Sequence, residues 1–168
     1  MKKTIMIAVV TALVAGCGAP ETKTDSVAAA PAKPACEPPP TTVVAKDLLE
    51  GDGRTAIPLA SAIVFYTGWL YDPCKPDHKG AQFDSNVGQR APFGFRIGAG
   101  RVIKGWDEGV VGMKEGGKRL LIIPSAYGYG SREIPGKIPP DSALVFEVDL
   151  MQLSGANLPP PMNRPPKQ

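Results

Sequence analysis

The chain has 168 residues, 43% of them hydrophobic and 21% charged, enough for one domain of ordinary size with its own core. Its net charge of +3 falls to +1, 17 basic against 16 acidic residues, once Lys2 and Lys3 are assigned to a removable leader, which argues against a nucleic acid as partner. One histidine in the whole chain, His78, speaks against a histidine-centred triad or a multi-histidine metal site.

Met1 to Cys17 opens with Lys2 and Lys3, runs apolar from Ile5 to Ala15 and carries small residues before Cys17, the pattern of an export leader. The run is too short to span a bilayer as a helix. Val14-Ala15-Gly16-Cys17 resembles the lipobox of bacterial lipoproteins, which implies a signal peptide over 1–16 and a lipid on Cys17. The protein is then expected in the bacterial cell envelope, on the outer membrane and facing the periplasm. An ordinary signal peptide with a fortuitous cysteine would instead release a soluble exported protein.

Residues 17–41 are rich in Ala, Pro and Thr and lack periodicity, so a flexible tether is expected. The folded domain is placed at 42–154. Thr42 to Glu50 mixes β-branched and charged residues and ends at a Gly51-Asp52-Gly53 turn, a first strand. Ser61 to Leu70, SAIVFYTGWL, is dense in β-branched and aromatic residues and reads as a second. Tyr71 to Gly80, with two prolines and several charges, is a surface loop. Gln82 to Ser85 resumes extended chain, and Pro92 to Ile97 forms a short strand.

Arg101 to Met113, RVIKGWDEGVVGM, sets Ile103, Trp106, Val110 and Met113 on one helical stripe, with Lys104, Asp107 and Glu108 facing away. Glycines at 105, 109 and 112 weaken an isolated helix, so this one is expected to form only under a sheet. Lys118 to Ile123 is a strand stopped by Pro124. Residues 124–140 form a long loop of the kind that carries function. Ala143 to Leu153 alternates Leu144, Phe146, Val148 and Leu150 against Val145, Glu147, Asp149 and Met151, a half-buried strand. Residues 155–168, rich in proline, read as a disordered tail. The expected class is α+β, a bent antiparallel sheet wrapped on one short helix.

Ordinary catalytic groups are scarce. Cys74 and His78 make two metal ligands, too few for a closed site, so no metal is expected. In an exported protein Cys36 and Cys74 could pair instead, and closing such a loop, if unstrained, would stabilise the fold by roughly 3 to 4 kcal/mol; the sequence leaves open whether they meet. Gly112 to Lys118 has phosphate-loop spacing, but Arg119 stands where Ser or Thr should bind magnesium, and the helix precedes the strand. Gly98-Ala99-Gly100 lacks the third glycine of a dinucleotide loop. No cofactor is implied. What remains is a set of aromatic residues, and Tyr and Trp carry polar ends that a plain core does not need. Phe95 alone is read as core.

VFYTGWL at 64–70, QFDSN at 82–86, PFGF at 92–95, VIKGWDEGV at 102–110, YGYG at 127–130 and IPPDSALVFEVDL at 138–150 resemble the FKBP-type peptidyl-prolyl isomerases. The likeness runs from Thr42 to Ser154. It implies a pocket for peptide proline, and for macrolides of the rapamycin class, lined by Tyr66, Phe83, Asp84, Phe93, Val102, Ile103, Trp106, Tyr129, Ile138 and Phe146. Trp106 would be the floor and Tyr66, Phe93 and Phe146 the walls. Val102 and Ile103 would stand at the helix entrance, where an Ile backbone N–H meets a ligand carbonyl, while Tyr129 hydrogen-bonds the peptide and Asp84 orients a group near the twisting amide. Gly128, Ile134 and Lys137 depart from the family around the rim. Gln89 stands where an arginine often pairs with the pocket aspartate, which predicts a less firmly held Asp84. The implied function is isomerisation of X–Pro bonds in exported polypeptides; the rival is a non-catalytic chaperone or peptide-binding module using the same groove.

Overall fold

The computed structural model describes residues 36–155 and 158; the leader, Cys17, the tether up to residue 35 and the rest of the tail lie outside them. Six strands make one antiparallel sheet. In chain order they are β1 (Val44–Leu49), β2 (Ser61–Tyr71), β3 (Lys79–Ser85), β4 (Phe93–Arg96), β5 (Lys118–Ile123) and β6 (Leu144–Ser154), with the helix α1 (Lys104–Gly109) between β4 and β5. The sheet order is β1-β5-β6-β2-β3, and β4 pairs with β2 as well. The α+β reading therefore holds.

Alternation along the long strands decides which face is core. On β6, Leu144, Phe146, Val148 and Leu150 are buried towards α1, Glu147 and Asp149 are half-buried on the opposite face, and Met151 is exposed. Val145 breaks the expected pattern, being fully buried although it points outward. Its register partners Trp69 and Ile122 flank it there, and Lys79 lies over the Trp69 ring at 4.9 Å. A ladder of Lys79, Glu147, Lys118 and Asp149, at 2.8, 2.8 and 3.2 Å, runs across the same outer face.

The helix is shorter than the apolar stripe suggests. It holds six residues, and Ile103, extended at φ −61° and ψ 147°, is its N-cap. Trp106, Val110 and Met113 are buried as expected. Gly105 and Gly109 have a tertiary role: a Cβ on Gly105 would stand 2.4 Å from Ile123 Cγ2, and one on Gly109 2.7 Å from Leu121 Cδ2. The helix backbone thus lies directly on β5. Gly112, at φ 80°, turns the chain out of the helix.

Two polar ties, one buried and one half-buried, hold this arrangement. Arg119, only 8% exposed, donates from Nη1 to the carbonyls of Gly109 at 2.8 Å and Val111 at 3.0 Å, and from Nε and Nη2 to Asp47 on β1. One guanidinium satisfies carbonyls that the helix end leaves open and pins the edge strand. Glu115, in the turn before β5, accepts hydrogen bonds from the backbone and side chain of Arg54 and from the Leu153 amide. Burial works to raise its carboxyl, but the Arg54 guanidinium and the two amides outweigh it and leave the group below its ordinary range.

The end of the tether is not free. Cys36 and Cys74 form a disulfide, with Cα atoms 4.3 Å apart. Glu37 N–H donates to Pro73 O at 3.2 Å, and the Tyr71 hydroxyl donates to Glu37 O at 2.9 Å. Residues 36–40, expected to be tether, are clamped to the 72–79 loop. His78, expected to be a solvated loop residue, stacks on Tyr71 at 4.7 Å and its Nδ1 is buried, where the chain turns through Asp77 and His78 at φ 52° and 56°.

Gly105→Ala tests which consequence of this packing dominates. Helix propensity favours alanine by about 1 kcal/mol, whereas overpacking a tight contact costs about 1 to 3 kcal/mol. We expect net destabilisation of about 1 kcal/mol or more in urea unfolding; a more stable variant would disprove the contact.

Candidate functional site

β2 is shared by two partners along one edge. Ser61–Val64 pairs with β4 and Thr67–Tyr71 with β3, which leaves a gap around Tyr66. Asn86, 6% exposed, fills it: its Oδ1 accepts from Tyr66 N–H at 2.6 Å, its Nδ2 donates to Val64 O at 3.2 Å, and its own N–H donates to Tyr66 O at 3.1 Å. The splayed strands open a slot above α1. Side chains from β2, β3, β4 and β6 converge on it.

Trp106 is the floor, 4% exposed. Tyr66, Phe93, Phe95 and Phe146 meet its indole edge to face at centroid distances of 5.1, 6.0, 5.4 and 5.3 Å. This is the arrangement aromatic quadrupoles favour. Phe83 stands against Phe146 at 5.6 Å and 89°. Gly68 makes room for that pair, since a Cβ there would lie 2.7 Å from both the Phe83 and the Phe146 ring. The indole N–H is buried and meets no acceptor, so the floor offers only apolar surface.

The cavity holds about 190 Å³ and is lined by nine of the ten expected residues: Tyr66, Phe83, Asp84, Phe93, Val102, Ile103, Trp106, Tyr129 and Phe146. Sites for drug-sized ligands run to roughly 300–1,000 Å³, so this slot admits one small ring, and a larger molecule must lie across its mouth. Ile138 does not line it. That residue is 3% exposed within the core, and its backbone pairs with Ile134 at 2.9 Å in both directions, closing the 124–142 loop on itself. It lines instead a neighbouring depression with Leu70, Phe83, Ile134 and Pro139. Phe95 is core, 6% exposed, as expected.

Arg101 also lines the cavity, and the sequence reading did not single it out. The available signal was its place immediately before Val102 and Ile103 at the helix entrance. An arginine there, beside two pocket residues, is close enough to reach the mouth.

Polar groups in the slot are few and already oriented. The Tyr66 hydroxyl donates to Asp84 Oδ2 at 2.8 Å, and the Ser85 amide donates to Asp84 Oδ1 at 3.1 Å. Asp84, expected to be held less firmly, is thus anchored by these two donors, while Gln89 Nε2 donates to Ser85 O at 2.7 Å. Burial, then the bond to Asp84 and its charge, push the Tyr66 phenol up to about 12. Tyr129 is raised as well, first by burial and then by Asp84. Ile103 turns its carbonyl into the helix, where it accepts from Trp106 N–H at 2.9 Å. No paired carboxylates and no base-activated nucleophile stand in the slot. Among the described residues no cluster of His, Cys, Asp or Glu is fit to hold a metal. The arrangement suits desolvation and alignment of a small apolar ring rather than bond cleavage.

A family model described as FKBP-type peptidyl-prolyl cis-trans isomerase matches residues 53–151. The FK506-binding protein of Neisseria meningitidis serogroup A is 48% identical over 111 residues, 66% of this chain and 95% of that protein. FK506-binding protein 1B of Neurospora crassa is 50% identical over 93 residues, 55% of this chain and 81% of its own length. Peptidyl-prolyl cis-trans isomerase FKBP2 of Mus musculus is 52% identical over 88 residues, 52% of this chain and 58% of that one.

The Tyr66–Asp84 pair yields a pH prediction. A phenol raised from near 10 in the unfolded chain to about 12 when folded stabilises the fold fully below pH 10, and that contribution disappears as pH rises through 12. In ultraviolet difference titration against Tyr66→Phe, the Tyr66 midpoint should stand near 12. Asp84→Ala should lower it while burial keeps it above 10; an unmoved midpoint would show that Asp84 does not act on it.

Proposed function

The chain belongs to the FKBP-type peptidyl-prolyl cis-trans isomerases, and from that membership we propose that the slot over Trp106 is where X–Pro bonds turn and that its substrates are exported polypeptides. The carrying observation is the indole floor ringed by Tyr66, Phe93 and Phe146 with no competing nucleophile.

Rotation about a prolyl amide is slow because resonance raises a barrier of roughly 18 to 20 kcal/mol. In the twisted amide the nitrogen lone pair no longer feeds the carbonyl, so the group is less dipolar than either planar form. Water solvates the planar forms better, whereas a dry apolar slot removes that preference and favours the twisted state. Trp106 and Phe146 supply the dry surface under the pyrrolidine ring. The Ile103 N–H and the Tyr129 hydroxyl donate to flanking peptide carbonyls and hold the chain while the bond turns. Asp84, anchored by Tyr66, faces the rotating amide and orients it. A rapamycin-class macrolide would place one ring in the slot and cover its mouth.

The rival reading is a non-catalytic chaperone or peptide-binding module that uses the same groove, and the rim departures at Gly128, Ile134 and Lys137 together with Gln89 in place of an arginine favour it. The anchoring of Asp84 by Tyr66 and the Ser85 amide supports the isomerase reading instead. A proline tetrapeptide assay separates the two. Asp84→Val and Phe146→Tyr should each lower kcat/KM by about tenfold, worth about 1.4 kcal/mol of transition-state stabilisation, and Trp106→Ala should also abolish most macrolide affinity. An Asp84→Val enzyme with undiminished kcat/KM would refute the role given to that carboxylate.

Export and anchoring rest on the basic-apolar leader and on Val14-Ala15-Gly16-Cys17. The Cys36–Cys74 disulfide suits the oxidising envelope to which such a leader directs a chain. Several acyl chains on Cys17 would hold firmly where one would not. Cells fed tritiated palmitate should label the protein, and Cys17→Ala should abolish the label; persistent labelling would exclude that anchor.

A further inference from the structure

Arg101 stands between the catalytic slot and a second depression. That depression, of about 540 Å³, is lined among others by Ser61, Gly94, Arg96, Ala99, Arg101 and Ser154. It carries two cations and two hydroxyls, and no acid lines it. Both arginines are exposed. Arg96 commits only its Nε, to Leu59 O at 3.1 Å. Arg101 makes no hydrogen bond or ion pair among the described residues.

The carboxylates near the mouth are engaged elsewhere. Asp84 accepts from Tyr66 and from the Ser85 amide. Asp107, one turn into the helix, uses both oxygens on the amides of Gly98 and Gly100, at 2.8 and 2.9 Å, which folds the loop that presents Arg101. Hydrogen bonds from neutral donors leave both carboxylates charged, but neither pairs with Arg101, and no acid lines the depression that Arg101 shares with Arg96, so the positive charge on that side of the slot has no ion-pair partner among the described residues.

We propose that Arg101, assisted by Arg96, is a specificity-determining residue that selects polypeptides with an acidic side chain within two positions of the proline. This inference rests on the slot over Trp106 being the substrate site. A carboxylate there meets an unpaired guanidinium and two serine hydroxyls, while a lysine at the same place meets two like charges. Exposed pairs of this kind are modest and salt-sensitive, so the expected preference is a few-fold, about fivefold between Glu and Lys peptides at low salt.

The test uses the full-length protein and a series of proline peptides carrying Glu, Gln or Lys at each of the two positions before and after proline. Affinity is read by fluorescence anisotropy and turnover by a protease-free isomerase assay. At one position or more, Glu should exceed Lys in affinity and in kcat/KM, with the ratio collapsing at high salt. Arg101→Lys should preserve the order, Arg96→Gln with Arg101→Gln should bring the ratio to about one, and Arg101→Glu should invert it. Equal affinities for Glu and Lys peptides, or a ratio the arginine variants leave unmoved, would overturn the proposal. Failure of the wild-type protein to turn over the Gln peptides is a separate result; it would sink the slot reading, while the anisotropy series still decides the charge preference.

Discussion

The close approach of α1 to β5 is the constraint from which the site follows. Gly105 and Gly109 let the helix backbone settle against Ile123 and Leu121, and at that depth Trp106, on the same turn, lies flat enough to be ringed by aromatics from β2, β4 and β6. A helix of six residues with three glycines nearby has little stability of its own. It persists because its stripe is covered, its last carbonyls are taken by Arg119, and the chain leaves through Gly112 in a conformation glycine adopts readily. The weak helix and the deep indole are two results of one packing choice.

The walls obey a related logic of space. Gly68 in the middle of β2 costs a side chain in an otherwise apolar strand, yet it is the vacancy into which Phe83 and Phe146 project. Asn86 repairs the backbone where β3 and β4 part company around Tyr66, giving partners to the Tyr66 amide and carbonyl and to the Val64 carbonyl where the slot opens. The result is a preformed concavity walled largely by aromatic rings, in which Tyr66 and Asp84 are already hydrogen-bonded to each other. Among its lining residues stand no paired carboxylates and no base-activated nucleophile, which accords with the isomerase family to which the chain belongs.

The perimeter is tied at points distant in sequence. Arg119 reaches from β5 to Asp47 on β1, and Glu115 joins Arg54 to Leu153. The disulfide fastens Cys36 to the loop that precedes β3, the strand carrying Phe83 and Asp84. These ties surround the pocket without entering it, and they hold the strand ends from which its side chains project.

Strand and helix positions were legible in the order of residues alone, since alternation of two and recurrence at three and four depend only on which side chains must leave water. Lys118–Ile123 matched to the residue, and nine of the ten residues that the family resemblance implied line one cavity. Tertiary structure alone decided the rest. Val145 is buried because Trp69 and Ile122 flank it, Ile138 lies in the core and off the slot lining where the 124–142 loop closes on itself, and the Tyr66 hydroxyl holds Asp84. Arg101 becomes a mouth residue only when the loop folded by Asp107 presents it. In each case the deciding partner lies on another strand or across a loop, and no periodicity along the chain encodes the distance between them.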